Sequence, residues 1–102
     1  NIGGAIALKN YLQRYFYESQ ITMVFGAMKD KDLSEISEIL FPLAKDLILT
    51  EPDNPRSMKV EELKIYAEKF IEKTKNFLVP NVADAIDSAM QIAATYPATR
   101  HS

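Results

Sequence analysis

Two rhythms of apolar and polar residues alternate along this chain. From Gly3 to Phe16 the apolar residues Ala5, Leu8, Leu12 and Tyr15 recur at spacings of three and four, as on one helix face. Ile21 to Phe25, ITMVF, is short, apolar and β-rich and ends at Gly26, which reads as a buried strand. Asp32 opens DLSE, a capping-box pattern with Glu35. Leu33, Ile36, Leu40 and Leu43 continue a second helical face, which Pro42 is expected to kink or end near Phe41. Leu47 to Leu49 reads as a second buried strand. Leu63, Tyr66, Ala67, Phe70 and Ile71 give the stripe of a third helix, with Glu61 and Glu62 in the first turn, where acids are favoured. Phe77 to Val79 is a third, very short strand. Asn81 then caps a fourth helix whose expected inner face is Val82, Ala85, Ile86, Ala89 and Ile92.

The order is αβαβαβα. Strands alternating with helices of this length imply parallel pairing with crossover helices, hence an α/β fold with a mostly parallel sheet flanked by helices. A helix opens the chain without a strand to feed it, and another closes it. The expectation is a single domain over residues 1–102 that lacks a strand before Asn1 and another after Ser102.

Composition narrows the function classes. The 102 residues are 47% hydrophobic and 25% charged, which fits one folded domain rather than a disordered segment. The net charge of -2, with basic residues mixed among acids, gives no electrostatic reason to expect nucleic acid or an anionic membrane. The chain has no cysteine, so disulfides, thiolate chemistry and Cys-based zinc sites are excluded, in keeping with a reducing compartment. No apolar run approaches the roughly 18 residues of a membrane span. The start, NIGGAIALKN, lacks the basic region of a signal peptide and an initiator Met, so an excerpt or a processed product is expected.

Ligands of open parallel sheets bind beyond the carboxyl ends of the strands. Three segments fall there. NIGG could bring backbone N–H groups to a phosphate at a helix N-terminus, but two glycines do not make a phosphate loop, and a tight turn is the simpler expectation. No Gly-x-x-x-x-Gly-Lys-Ser/Thr motif is present. GAMKDKD, Gly26 to Asp32, is either a solvated turn with Asp32 as helix cap or a place where a lysine meets an anionic substrate. Its two aspartates are a weak Mg²⁺ signal. TEPDNPR, Thr50 to Arg56, is the most informative. Its residues are ordinary turn formers, yet two prolines in four residues stiffen the loop. A stiff loop holds an arginine fork in one direction, which suits bidentate carboxylate binding, and the Asn54 amide offers a donor and an acceptor beside it.

The remaining candidates are weaker. His101 is the only histidine and sits in the tail, so no Ser-His-Asp constellation can be built. Tyr11, Tyr15, Tyr17 and Tyr66 are expected to pack on helix faces, and the scattered methionines to fill core.

Three of these segments carry a resemblance that spans Asn1 to about Ala94. The chain resembles the C-terminal domain of folylpolyglutamate synthase, a family often bifunctional with dihydrofolate synthase, in the Mur ligase superfamily. Asn1 is similar to the last residue of the family's Asp-Gly-Ala-His-Asn motif. VFGAMKDKD resembles its strand, Gly-Ala-Met and Asp-Lys-Asp turn. ILFPLAKDLILTEPDNPRS resembles its proline-containing helix, strand, Thr and Asp-Asn-Pro-Arg loop, and is the most specific of the three.

The resemblance implies a Rossmann-like lid that closes on a central ATPase domain. It implies a cytoplasmic ligase. In the reaction, ATP phosphorylates a carboxylate of dihydropteroate or a folate, and the amino group of L-glutamate attacks the acyl phosphate. It carries Asp53, Asn54 and Arg56 over as amino-acid-site candidates, Lys31 as a neighbouring charge, and Asn1 as a candidate at the nucleotide edge. No catalytic residue and no metal ligand is assigned within the chain. The phosphate loop, the Mg²⁺ ligands and the pterin site belong to the central domain, so this chain alone is expected to be inactive. Two readings compete. A cell-wall ligase acting on a UDP-muramoyl peptide shares the Asp-Asn-Pro-Arg loop, although GAMKDKD favours the folate branch. A stand-alone, non-catalytic α/β binding module is the other, which an exposed parallel sheet edge disfavours.

Overall fold

The computed structural model describes residues 1–30 and 32–97. The order is α1 (Ile2–Tyr15), β1 (Thr22–Phe25), α2 (Leu33–Leu40), β2 (Asp46–Leu49), α3 (Val60–Ala67), β3 (Lys75–Leu78) and α4 (Val82–Ala93). The expected αβαβαβα alternation is present. All strand pairing is parallel, in the order β1-β2-β3, with Met23 opposite Leu47 and Leu47 opposite Asn76. Pro42 ends α2 as expected, in a 3₁₀ turn over Phe41–Leu43.

Side-chain alternation along β2 assigns the layers. Leu47 and Leu49 join Leu33, Leu40, Phe41, Val60, Leu63 and Ala67 in one core cluster, which lies beneath α2 and α3. Phe41 packs edge-on against Phe25 of β1, ring centroids 5.0 Å apart. Ile48 points to the opposite face, where α4 crosses β1 and β2 and buries Ala85. Thr74, just before β3, is buried with its hydroxyl 2.7 Å from the Ala44 carbonyl oxygen, which ties the entry of β3 to that of β2.

Several expected faces are narrower than their periodicity. On α1 only Ala5 is buried, Leu12 is half-buried, and Leu8 and Tyr15 are exposed, because α1 rests chiefly on α2. Ile71 is 60% exposed: α3 gives way to a 3₁₀ turn at Glu68–Phe70, and the 3.6-residue period that would bring Ile71 inward stops there. On α4, Ala89 and Ile92 are half-buried, whereas Val82 and Ile86 are exposed. The apolar arc of that helix exceeds what three strands can cover. Tyr11, Tyr15 and Tyr17 do not pack inward; Tyr66 does. Of the methionines, Met23 and Met58 serve the core, while Met28 and Met90 are exposed.

A polar lock fastens the end of α4. Asp46 is buried at the start of β2, on the α4 face of the sheet. It accepts a hydrogen bond from the Tyr96 hydroxyl, and the Thr22 hydroxyl lies 3.5 Å away. The bond to Asp46, then desolvation, then the carboxylate's charge raise the Tyr96 pKa above its ordinary 10.0. The stability this pair contributes is therefore fully present below about pH 10, the unfolded tyrosine value, and is lost as pH rises through the raised folded value. The stability difference between wild type and Tyr96→Phe should stay constant up to that pH and shrink above it, read from urea unfolding. A difference that does not change between pH 9 and 12 would show that Tyr96 ionises normally.

Candidate functional site

The carboxyl edge of the sheet is built by the segments after β1 and β2, which are stitched together through the backbone. Met28 and Ser57 form an antiparallel bridge. The Lys29 N–H donates to the Arg56 carbonyl at 3.1 Å, and the Met58 N–H to the Ala27 carbonyl at 2.8 Å. The third connection joins the same framework: the Pro80 carbonyl accepts from the Thr50 hydroxyl and the Glu51 N–H, both at 3.0 Å.

Gly26 makes this stitching possible. Its φ is not positive, so conformational freedom is not the reason for glycine. Space is the reason. A Cβ here would lie 2.7 Å from Pro52 Cδ and 3.0 Å from the Thr50 carbonyl oxygen.

Inside the loop, Asn54 Oδ1 accepts the Arg56 N–H at 2.8 Å, and the Ser57 N–H donates to the Asn54 carbonyl at 3.0 Å. The side-chain oxygen of Asn54 is thus committed to the turn, and its Nδ2 is the group it can offer a ligand. The Ser57 hydroxyl donates to the Pro52 carbonyl. Glu51 closes the far side. Its Oε2 accepts the Val60 N–H of the first α3 turn at 3.0 Å, while Oε1 lies 3.5 Å from Lys59 Nζ. Periodicity did not single out Glu51. No local signal was available, because Glu51 lies nine residues before Val60 and reaches the helix start only through the fold of the loop.

Two clefts flank the stitched loops. One, about 740 Å³, is walled by Pro52, Asp53, Asn54, Pro80 and Asn81. The other, about 370 Å³ and mostly apolar, lies between the starts of α1 and α2 and is lined by Asn1, Leu8, Phe25, Met28, Asp30 and Leu33. Asp53 and Asn54 share the larger cleft. Arg56 is exposed beside it on the same loop, and Asn1 belongs to the smaller cleft. Lys31 lies outside the described residues, as does His101.

Two local expectations change. Gly3 and Gly4 form no tight turn but lie within α1, where Asn1 Oδ1 takes the Gly4 N–H at 2.7 Å. The DLSE capping box does not form either. Asp32 makes no side-chain cap, and Asp30 Oδ1 instead accepts the Asp32 N–H at 2.7 Å, because an Asx turn two residues earlier has already set the helix entry. Among the described residues no cluster of three or more His, Cys, Asp or Glu side chains could hold a metal ion.

Gly26→Ala should lower stability by about 1–3 kcal/mol, the usual range for a forced overlap in a packed site. Gly3→Ala is the control: its nearest new contact is 3.5 Å, and removing a helical glycine should be neutral or stabilising by at most about 1 kcal/mol. Urea denaturation of both variants checks the contrast. Equal effects would mean that the Gly26–Pro52 contact constrains nothing.

The comparisons with known proteins agree with this architecture. The family described as Mur ligase, glutamate ligase domain, matches residues 1–98. Folylpolyglutamate synthase from Mycobacterium tuberculosis complexed with ADP aligns over 90% of this chain and 20% of its own, at 29% identity and a TM-score of 0.79. A second structure of that enzyme, from a study of complexes with ADP and AMPPCP, covers 93% of this chain and 22% of its own, at 26% identity and a TM-score of 0.74. Helicobacter pylori folylpolyglutamate synthetase covers 90% and 27%, at 28% identity and a TM-score of 0.61. The chain therefore spans about a quarter or less of these structures. No curated protein sequence matches it significantly. With three parallel strands, the stitched loops at their carboxyl edge and a match over nearly its whole length, the chain belongs to the Mur ligase glutamate-ligase domain family.

Proposed function

We propose that this chain is the lid domain of a larger, cytoplasmic, ATP-dependent ligase that adds L-glutamate to folates. A folate carboxylate is activated with ATP as an acyl phosphate, and the glutamate amine displaces phosphate to form the amide. The observation that carries the reading is the clamped Asp53–Arg56 loop at the carboxyl edge, with its arginine exposed beside a polar cleft. Glutamate needs fixed cationic partners for its carboxylates, and a guanidinium on a stiff turn is such a partner. Asn54 Nδ2 adds a donor and Asp53 an acceptor for the amine. Lys31 and Asn1 are assigned to the neighbouring substrate and nucleotide edges. The folate branch, rather than the cell-wall branch, is supported by the three folylpolyglutamate synthase neighbours. The nucleotide phosphates and Mg²⁺ are assigned to the central domain of the same enzyme, as the family resemblance implies.

In the full-length enzyme, Arg56→Lys should raise the KM for glutamate well before that for ATP. Lysine keeps the charge and loses the planar fork, so one charge-assisted hydrogen bond is forfeited, about 1.5–3 kcal/mol, or roughly ten- to a hundred-fold in kcat/KM for glutamate. Arg56→Ala should cost more. Steady-state kinetics with glutamate and ATP varied separately make the test. Wild-type glutamate dependence in a folded Arg56→Lys enzyme would show that Arg56 is not a substrate ligand.

The isolated chain should not turn over ATP, because positioning and a preorganised Mg²⁺–phosphate site supply most of phosphoryl-transfer catalysis. Mg²⁺-dependent ATP hydrolysis by the purified 102-residue chain would refute the division of labour proposed here.

A further inference from the structure

Glu51 joins three segments of the carboxyl edge. Its N–H donates to the Pro80 carbonyl, just before α4, at 3.0 Å. Its Oε2 accepts the Val60 N–H, the first of α3, at 3.0 Å, and its Oε1 lies 3.5 Å from Lys59 Nζ. Asp53, Asn54 and Arg56 are strung between the two ends that this carboxylate brings together, so one side chain closes the neck of their loop. Closing the ends removes chain conformations that compete with a single loop geometry.

The two limbs of the loop are held differently. The returning limb is fastened to the loop after β1, by the Lys29 N–H on the Arg56 carbonyl and the Met58 N–H on the Ala27 carbonyl. On the outgoing limb, the Pro52 carbonyl takes the Asn54 N–H at 2.8 Å and the Ser57 hydroxyl, both inside the loop. That limb leaves the core through Glu51. Of the two side-chain contacts of Glu51, the one to Val60 carries the closure. The Lys59 side chain is 69% exposed, where an ion pair contributes little. The Val60 N–H is a first-turn donor with no acceptor inside its own helix.

We propose that Glu51 is a positioning residue for the glutamate site, holding Asp53, Asn54 and Arg56 in binding geometry through the Val60 N–H without touching the substrate itself. The kinetic consequence rests on the ligase function proposed above; the hold on the loop does not. A loop that is competent only part of the time lowers the apparent affinity for its ligand by that fraction, and leaves a ligand bound elsewhere unaffected.

The test uses the full-length enzyme. Glu51→Ala should raise the KM for glutamate about three- to ten-fold, as for a loop competent about a third to a tenth of the time, with the KM for ATP unchanged. Glu51→Gln keeps an oxygen for the Val60 N–H and should restore a near wild-type glutamate KM. Glu51→Asp keeps the charge but falls a methylene short, and should resemble the alanine variant in milder form, which also serves if Glu51→Ala does not fold. Glu62→Ala removes the other acid at this helix start, 3.4 Å from the Lys59 N–H, and should leave both KM values unchanged. Hydrogen exchange of the Pro52–Ser57 peptide, measured without substrates, should be faster in the alanine and aspartate variants and at the wild-type rate in the other two. Unchanged exchange in the alanine and aspartate variants would overturn the proposal. So would a glutamine variant as impaired as the aspartate one, which would make Glu51 a direct partner of the glutamate ammonium, or an equal glutamate effect in Glu62→Ala, which would reduce Glu51 to general support of α3. ADP release that does not depend on glutamate in the wild type would instead refute the ligase function, and the exchange rates alone would then decide whether Glu51 holds the loop.

Discussion

The central strand β2 is the constraint on which the rest of the structure depends. It is paired on both edges, and all four of its residues are buried. Leu47 and Leu49 hold the α2 and α3 layer, Ile48 faces α4, and Asp46 receives Tyr96. Each fully buried leucine or isoleucine contributes about 1.5–3 kcal/mol relative to exposure, so four consecutive residues anchor both faces of a thin sheet. A segment leaving such a strand starts from a fixed point. Thr50, the next residue, is buried as well, and its N–H donates to the Phe25 carbonyl at 2.9 Å. The loop that carries Asp53–Arg56 thus begins inside the core.

Rigidity then passes outward through backbone contacts. The loop after β2 is stitched to the loop after β1 by hydrogen bonds on either side of the Met28–Ser57 bridge, and Gly26 lets the two approach until no side chain fits between them. Both the N–H and the C=O of Arg56 are bonded, to Asn54 and to Lys29. Holding the Arg56 backbone at both polar groups removes the backbone part of the ordering cost before any ligand arrives, and leaves the side-chain rotamers to be fixed on binding. The position of Arg56 is therefore set by two loops that are far apart in sequence.

The topology was legible in the sequence because element type follows from period and length. ITMVF and LIL are too short for helices, and Pro42 and Gly26 mark boundaries that the chain respects. The faces were less legible. A helical pattern gives the direction of the apolar arc but not the width of the surface that will cover it, which is why Leu8, Tyr15, Ile71 and Ile86 are exposed. Turn chemistry near helix starts was ambiguous for a different reason. Asp30 and Asp32 compete for one N-terminus, and the Asx turn at Asp30 wins. The loop Asp53–Arg56 stood out because its composition is unusual. Its attachment to Met28 and Lys29 depends on two strands lying side by side, which no local pattern encodes.

Helix polarity sharpens the role of that arginine. In this topology α2, α3 and α4 each begin at the carboxyl edge, where strands hand over to helices, so their positive dipole ends gather around the proposed substrate region. Free N–H groups there could bind an anion directly. The chain uses several of them itself. Asn1 takes the Gly4 N–H, Asp30 that of Asp32, Glu51 that of Val60 and Asn81 that of Asp84. Two of these four caps are carboxylates, which also offset the positive ends they sit on. Backbone recognition of an anion is correspondingly weakened at this edge, which favours the proposal that a side chain with its own charge does that work. Arg56 fits that need, since its fork extends from a turn whose own backbone groups are already satisfied.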